Sequence, residues 1–141
     1  MREVFRSPRL VKQKRQDDCG IAAVAMIART SYRKVERKYR EVFPGELGFR
    51  TKPKDVRKLL KKLEAPVRLG PRVPCSRLDW PRIKKTALAA INSNKVGDEW
   101  HWVVYVHGSP PYVLDPRIGR RTDWRRMRLA WYHTLACHPE E

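Results

Sequence analysis

The segment CGIAAVAMIARTS, residues 19–31, would be apolar around nearly its whole circumference if it formed a helix. A surface helix carries one apolar stripe, so a helix without a polar face has to be enclosed by other elements. Asp17 and Asp18 lie directly before Cys19, and either side chain could cap the first turn by accepting hydrogen bonds from free backbone N–H groups. The rest of the chain must therefore pack around a helix that begins at Cys19.

Two amphipathic helices are predicted after this segment. One spans about residues 33–42 and ends at FPGELG, and the other begins near Thr51 and Pro53. Apolar side chains recur at helical spacing on one face of each, at Val35, Tyr39 and Val42 and then at Val56, Leu59, Leu60 and Leu63. The N-terminal half is therefore predicted to be helical.

The C-terminal half is predicted to form an antiparallel sheet. The sequence EAPVRL is a candidate short strand, and residues 70–82 are predicted to form a loop. The sequence TALAAIN fits a helix or a strand equally well. HWVVYVHGSPPYVLDP has two β-prone runs around the turn GSPP, which indicates a β-hairpin. Alternation in its first strand places His101, Val103 and Tyr105 on one face and Trp102, Val104 and Val106 on the other. Helices followed by an antiparallel sheet predict an α+β fold.

The length of 141 residues favours one domain, with residues 1–12 as a basic lead-in and residues 119–141 as a basic C-terminal extension. No apolar run approaches the roughly 18–20 residues that span a bilayer, and the N-terminus has no apolar signal region. We therefore expect a cytoplasmic protein. Its net charge of +17 would attract nucleic acids or acidic protein surfaces.

The three cysteines, Cys19, Cys75 and Cys137, are widely spaced and odd in number. This pattern gives no disulfide framework and fits a reducing compartment. The sequence HTLACH contains His133, Cys137 and His138 but has no second ligand pair, so we expect neither a metal nor another cofactor.

Four polar side chains could form a nucleophilic site. The positive end of the helix dipole would favour a thiolate at Cys19, and the hairpin would bring His101 next to Asp115. His101 could then act as base toward the thiol and acid toward a leaving amine, while Asp115 orients the imidazole. The amide of Gln13 could help to bind the developing oxyanion.

A glutamine, five residues, Cys-Gly, a small-residue helix with Ala-Met, HWVV and a hairpin ending in Asp-Pro together resemble the double-glycine peptidases. These are papain-like cysteine proteases, best known as the N-terminal domain of bacteriocin exporters. The similarity runs from about Val11 to Ile118. It implies a papain-like fold, with N-terminal helices packed on a C-terminal antiparallel sheet.

The resemblance implies a role for each matching residue. Cys19 would be the nucleophile, His101 the general base, Asp115 the orienting acid and Gln13 the oxyanion-hole donor. Asp18 matches the acidic residue that the family commonly carries before its cysteine. The resemblance also implies cleavage after paired glycines in a leader peptide, or in a target protein if the chain is a toxin or effector delivered to another cell. An inhibitor or immunity protein would then be a partner.

Several alternatives stay open at this point. The same residues could support deamidation or acyl transfer, because these reactions also pass through a thioester. Cys19 could instead be a buried structural thiol, and the basic chain could be a non-enzymatic binder of nucleic acid or acidic protein. The sequence does not indicate an oligomeric state.

Overall fold

The computed structural model describes residues 7–121 and 123–137. Three helices come first: α1 (Cys19–Ala28), α2 (Tyr32–Val42) and α3 (Pro53–Lys62). Seven strands follow: β1 (Val67–Leu69), β2 (Val73–Pro74), β3 (Ala87–Ile91), β4 (His101–Val106), β5 (Tyr112–Asp115), β6 (Gly119–Arg121) and β7 (Leu129–Cys137). All the strand pairs are antiparallel, which confirms the predicted α+β fold.

The sheet has the strand order β1-β7-β3-β4-β5-β6, and β2 also pairs with β7. The ambiguous sequence TALAAIN contains β3, which lies between β7 and β4 and is buried at every position. A strand buried on both faces shows no polar alternation. For this reason its sequence pattern could not distinguish a strand from a helix.

The described residues after 118 form part of the sheet, which differs from the prediction of a basic C-terminal extension over residues 119–141. They supply β6 and β7, and β7 pairs with β1, β2 and β3. The basic residues Arg125, Arg126 and Arg128 are exposed and lie just before this largely buried strand, so the overall charge hid the apolar pattern. The predicted loop at 70–82 likewise contains β2 and a short 3-10 turn, Trp80–Arg82.

Helix α1 is enclosed as its sequence predicts, because it contacts α2, α3 and β4 and every residue from Gly20 to Ile27 is buried. It ends at Ala28, three residues before the predicted end. Arg29 adopts a left-handed conformation with φ of 53°, and the N–H groups of Arg29 and Thr30 bond back to carbonyl groups of the last turn.

The predicted capping of α1 by an aspartate side chain is wrong. Asp18 lies at the N-cap position but makes no side-chain hydrogen bond to the helix. Its carboxylate is completely buried and turns back to accept hydrogen bonds from the backbone N–H groups of Lys14 and Arg15. Asp17 accepts a hydrogen bond from the Phe49 N–H instead.

The sheet separates two apolar cores. Trp102, Val104 and Val106 face the helices, whereas Val103 and Tyr105 pack on the far side, which confirms the predicted alternation in β4. Two 3-10 turns, Trp80–Arg82 and Trp124–Arg126, cover the far core, and the two tryptophan rings meet edge to face at 5.4 Å. Among the described residues, no helix has the length and hydrophobicity to cross a membrane.

The second residue of α1 has no room for a side chain. A Cβ atom added to Gly20 would lie 1.8 Å from Oγ1 of Thr51, a buried residue whose carbonyl and hydroxyl oxygens accept hydrogen bonds from the Trp102 indole. We expect Gly20→Ala to lower the free energy of unfolding by about 1–3 kcal/mol, as overpacking does elsewhere. Denaturant unfolding measures this change.

Gly108→Ala is the matched control, because a Cβ atom there would meet its nearest neighbour at an ordinary 3.6 Å. The double variant Gly20→Ala/Thr51→Ala should regain part of the lost stability, since it removes the opposing hydroxyl. Equal unfolding midpoints for Gly20→Ala and Gly108→Ala would contradict the close approach of α1 to Thr51.

Candidate active site

Cys19 is the first residue of α1, as predicted, and its side chain is half-buried against β4. The backbone N–H of Trp102 points at the sulfur, with 3.4 Å between nitrogen and Sγ. Unpaired N–H groups at a helix N-terminus carry a partial positive charge. The sulfur therefore lies where N–H groups from the helix and from the strand both favour a negative charge.

His101 begins β4, immediately before the residue whose N–H contacts the sulfur. Its Nε2 lies 2.7 Å from Oδ1 of Asp115, the last residue of β5, so the hairpin brings the two together as predicted. The imidazole is only 12% exposed and the carboxylate 3%. Because Asp115 occupies Nε2, the other ring nitrogen, Nδ1, is available for the Cys19 thiol.

The neighbours of the imidazole favour its charged form. Burial lowers the pKa of His101, but the hydrogen bond to Asp115 and the adjacent Cys19 side chain outweigh this and raise the pKa to about 9. For the carboxyl group of Asp115, burial acts to raise the pKa. The His101 ring, the Arg117 N–H and the Arg121 guanidinium outweigh burial and hold the pKa of Asp115 below its usual range. An imidazolium paired with a carboxylate is therefore the stable state at neutral pH.

The tripeptide Asp115-Pro116-Arg117 connects the predicted site residues. Oδ1 of Asp115 accepts a hydrogen bond from the Arg117 N–H at 2.9 Å, and the Pro116 carbonyl accepts one from the Gln13 N–H at 2.8 Å. The same short segment thus orients His101 and anchors the backbone that carries Gln13. Arg121 on β6 adds an ion pair to Oδ2 of Asp115 at 3.3 Å.

The side chain of Gln13 lies beside the Cys19 cleft. Its Nε2 donates one hydrogen to the Arg15 carbonyl at 2.5 Å, and its second hydrogen remains for another acceptor. Buried Asp18 holds this segment through the N–H groups of Lys14 and Arg15, and the Tyr32 hydroxyl donates to the same carboxylate. Burial, with Asp18 as the next cause, raises the pKa of Tyr32, so this hydroxyl stays protonated.

Two adjoining cavities flank these residues. The first, the cleft, has a volume of about 750 Å³ and contains Cys19 and His101, with Trp100 and Trp102 among its aromatic lining. The second, the Gln13 cavity, has a volume of about 880 Å³ and is lined by residues 13–17 with Arg50 and Arg117. Gln16, Asp17, Arg50 and Arg117 line both, so one extended molecule could occupy the two.

Several of these contacts could not be predicted from the sequence. Arg121 was missed because β6 was not predicted, and Asp18 was expected to cap the helix rather than to hold the segment before it. Arg117 could have been noticed from its place directly after the predicted Asp115-Pro116 hairpin end.

The HTLACH segment lies apart from this site. His133 is completely buried in β7, and its Nδ1 lies 3.0 Å from the Gly70 carbonyl. No group of three or more His, Cys, Asp or Glu side chains in the described part of the chain could hold a metal ion. His138 lies outside the described residues.

No protein-family model matches the sequence, and no curated protein matches it. Among solved structures, the fold is similar to the crystal structure of a double glycine motif protease from an AMS/PCAT transporter in complex with the leader peptide. The alignment covers 93% of this chain and 92% of that chain, with a TM-score of 0.60 and 17% sequence identity. The papain-like α+β fold implied by the sequence resemblance is therefore confirmed.

The His101–Asp115 pair should make stability depend on pH. In the unfolded chain the pKa of His101 returns to roughly 6.5, whereas in the folded protein it is about 9. The folded state then holds the proton more tightly, and this adds up to about 3 kcal/mol that is complete below about pH 6.5 and lost as the pH rises toward 9. Urea unfolding at pH 6 and pH 9 measures the loss.

Asp115→Asn should reduce this pH dependence and lower the His101 pKa, which an NMR titration of the ring follows directly. Asp79→Asn is the charge-matched control, because Asp79 is a partly buried residue that pairs with Arg82 and not with His101. An unchanged His101 titration in Asp115→Asn would show that the carboxylate does not control the imidazole.

Proposed function

We propose that this protein is a cysteine peptidase in which Cys19 is the nucleophile, His101 the general base and acid, Asp115 the orienting carboxylate and Gln13 an oxyanion donor. The observation that carries this proposal is the position of the His101 imidazole, between Oδ1 of Asp115 and the Cys19 side chain at a helix N-terminus. These are the contacts that a thiolate nucleophile and its proton carrier require.

The geometry supports a two-stage reaction. The Cys19 proton already resides on His101 Nδ1 before the attack, since the imidazole is charged at neutral pH, and the thiolate sulfur then attacks the carbonyl carbon of the substrate. The second hydrogen of the Gln13 amide and the Cys19 backbone N–H then stabilise the oxyanion. The imidazolium returns its proton to the leaving amine, which leaves a thioester on Cys19. His101 takes a proton from a water molecule, the resulting hydroxide hydrolyses the thioester, and the sulfur leaves as a thiolate that pairs again with the imidazolium.

The proposed substrate is a peptide cleaved after small residues such as Gly-Gly. The similar structure is that of a double glycine motif protease in complex with the leader peptide, which supports this class, and we assign a leader peptide as the first candidate. The tryptophan rings of residues 100 and 102 pack edge to face at 5.5 Å beside the reactive pair, and such a wall favours small side chains. An effector's target protein is the alternative substrate.

Thiol reactivity tests the proposed nucleophile. Burial raises the pKa of Cys75 to about 11, so this thiol should react slowly with iodoacetamide at pH 7. Cys19 should be alkylated at least about tenfold faster, and His101→Ala should remove most of that advantage because it removes the counter-ion of the thiolate. Peptide mass spectrometry of the alkylated protein quantifies Cys19, Cys75 and Cys137 separately. Equal rates at the three thiols would overturn the assignment.

Terminal-peptide sequencing of a proteome incubated with the wild type tests the activity itself, with Cys19→Ala as the matched control. New termini after small residues, present only with the wild type, are the expected result. Mass shifts of about one dalton on glutamine without new termini would instead show deamidation, which shares the thioester. If every biological effect survives Cys19→Ala and binding weakens steeply with salt, the protein is a binder of polyanions.

A further inference from the structure

We propose that the Gln13 cavity is a carboxylate-binding subsite, in which Arg117 pairs with an aspartate or glutamate side chain of the substrate close to the scissile bond. This inference rests on the proposed peptidase function and names a property of the substrate that the fold leaves open. Three observations carry it: the place of Arg117, the lack of a partner for its guanidinium and the charge of the cavity.

Arg117 lies where the cavities around the candidate site meet. Arg117 lines the cleft with Cys19, the Gln13 cavity and a third cavity of about 380 Å³ that His101 and Asp115 also line. Its backbone is held in place, because its N–H donates to the Asp115 carboxylate. The guanidinium is therefore carried by the same segment that orients the imidazole.

The guanidinium of Arg117 makes no hydrogen bond or ion pair with any residue in the described ranges 7–121 and 123–137. The two arginines of β6 differ in this respect. Arg120 stacks on the Tyr112 ring at 3.9 Å, and Arg121 pairs with Asp115 and Asp123. Arg120 and Arg121 thus have contacts within the fold, whereas the exposed Arg117 leaves all its donors to the cavities.

The Gln13 cavity carries an excess of positive charge. Its lining contains the four basic residues Lys14, Arg15, Arg50 and Arg117 and one acidic residue, Asp17, which already accepts the Phe49 N–H. Arg15 is occupied by Glu36. Arg50 pairs with Glu99 at 3.3 Å, but both side chains are more than half exposed, and exposed pairs of this kind contribute little.

A guanidinium with open donors binds a carboxylate through two parallel hydrogen bonds, which gives direction as well as charge attraction. Arg117 would supply this bond, and Arg50 could contribute a second contact by exchanging Glu99 for the substrate. A substrate with an acidic side chain next to the cleavage site would thus be held beside Gln13 while its carbonyl faces Cys19.

Alkylation by a charged and a neutral reagent tests the subsite without any substrate. Iodoacetate and iodoacetamide react with the same sulfur and have similar size, but only iodoacetate is an anion. We expect Arg117→Gln to lower the ratio of the iodoacetate rate to the iodoacetamide rate at Cys19 by about threefold at low ionic strength. The loss of one positive charge at a few ångströms from the sulfur predicts a change of this size. The difference should shrink near 1 M salt, where the screening length is about 3 Å.

Arg120→Gln is the matched control, because it removes the same net charge from a side chain that stacks on Tyr112 and lines none of the three cavities. Its rate ratio should stay near that of the wild type, and Arg117→Lys should retain most of the wild-type ratio. Equal ratios in the wild type and Arg117→Gln, or equal losses in Arg117→Gln and Arg120→Gln, would overturn the subsite.

Quenched-fluorescence peptides provide the second readout. The peptides carry a Gly-Gly cleavage site with either Glu or Gln placed before it or after it. At one of these two positions, the Glu peptide should have a kcat/KM about tenfold higher than the matching Gln peptide. Arg117→Glu should reverse the preference toward a Lys peptide. An equal loss for every peptide would show a structural role for Arg117 and contradict the subsite.

The two proposals fail in different ways. If Cys19 is alkylated no faster than Cys75, the peptidase assignment fails, and the dependence of the reagent ratio on Arg117 still reports the charge of the cavity. If Cys19 is reactive but neither the ratio nor the peptide preference depends on Arg117, only the subsite fails.

Discussion

The hydrogen bond between His101 and Asp115 is the contact on which the candidate site depends. Both groups are almost fully buried, and a buried charge without partners costs several kcal/mol. The fold meets this cost with donors from three directions: the imidazole, the Arg117 N–H and the Arg121 guanidinium. The carboxylate stays charged as a result, and its contact with Nε2 leaves Nδ1 available for the adjacent Cys19 side chain.

A second buried carboxylate, Asp18, organises the other side of the site. Its position is that of a helix cap, but its carboxylate accepts hydrogen bonds from the backbone of the preceding segment and from the Tyr32 hydroxyl. Gln13 is thereby fixed from two directions. The two residues after it are bound to Asp18, and its own N–H donates to the Pro116 carbonyl. The two carboxylates lie in different elements, yet each fixes one part of a common arrangement around Cys19.

Elements with a strong local pattern could be predicted from the sequence. The enclosed helix, the two amphipathic helices and the hairpin each follow from side-chain periodicity or turn residues, and the hairpin alone was enough to pair His101 with Asp115. Prediction was weaker where burial erases the pattern, as in β3, or where charged neighbours hide it, as before β7. Asp18 could have accepted hydrogen bonds either from the first turn of α1 or from the segment before it. The packing of Tyr32 and residues 14–15 decided in favour of the preceding segment.

The sequence by itself determined a helix that begins at a cysteine, a hairpin that joins a histidine to an aspartate, and a resemblance that names the peptidase fold. These features depend on short-range geometry, which the spacing of residues encodes directly. The tertiary structure alone decided that the Trp102 N–H meets the Cys19 sulfur, that β7 lies inside the sheet, and that Arg117 faces the cavities while Arg121 supports Asp115. Such contacts join segments far apart in the chain, and their geometry is set by how the layers pack.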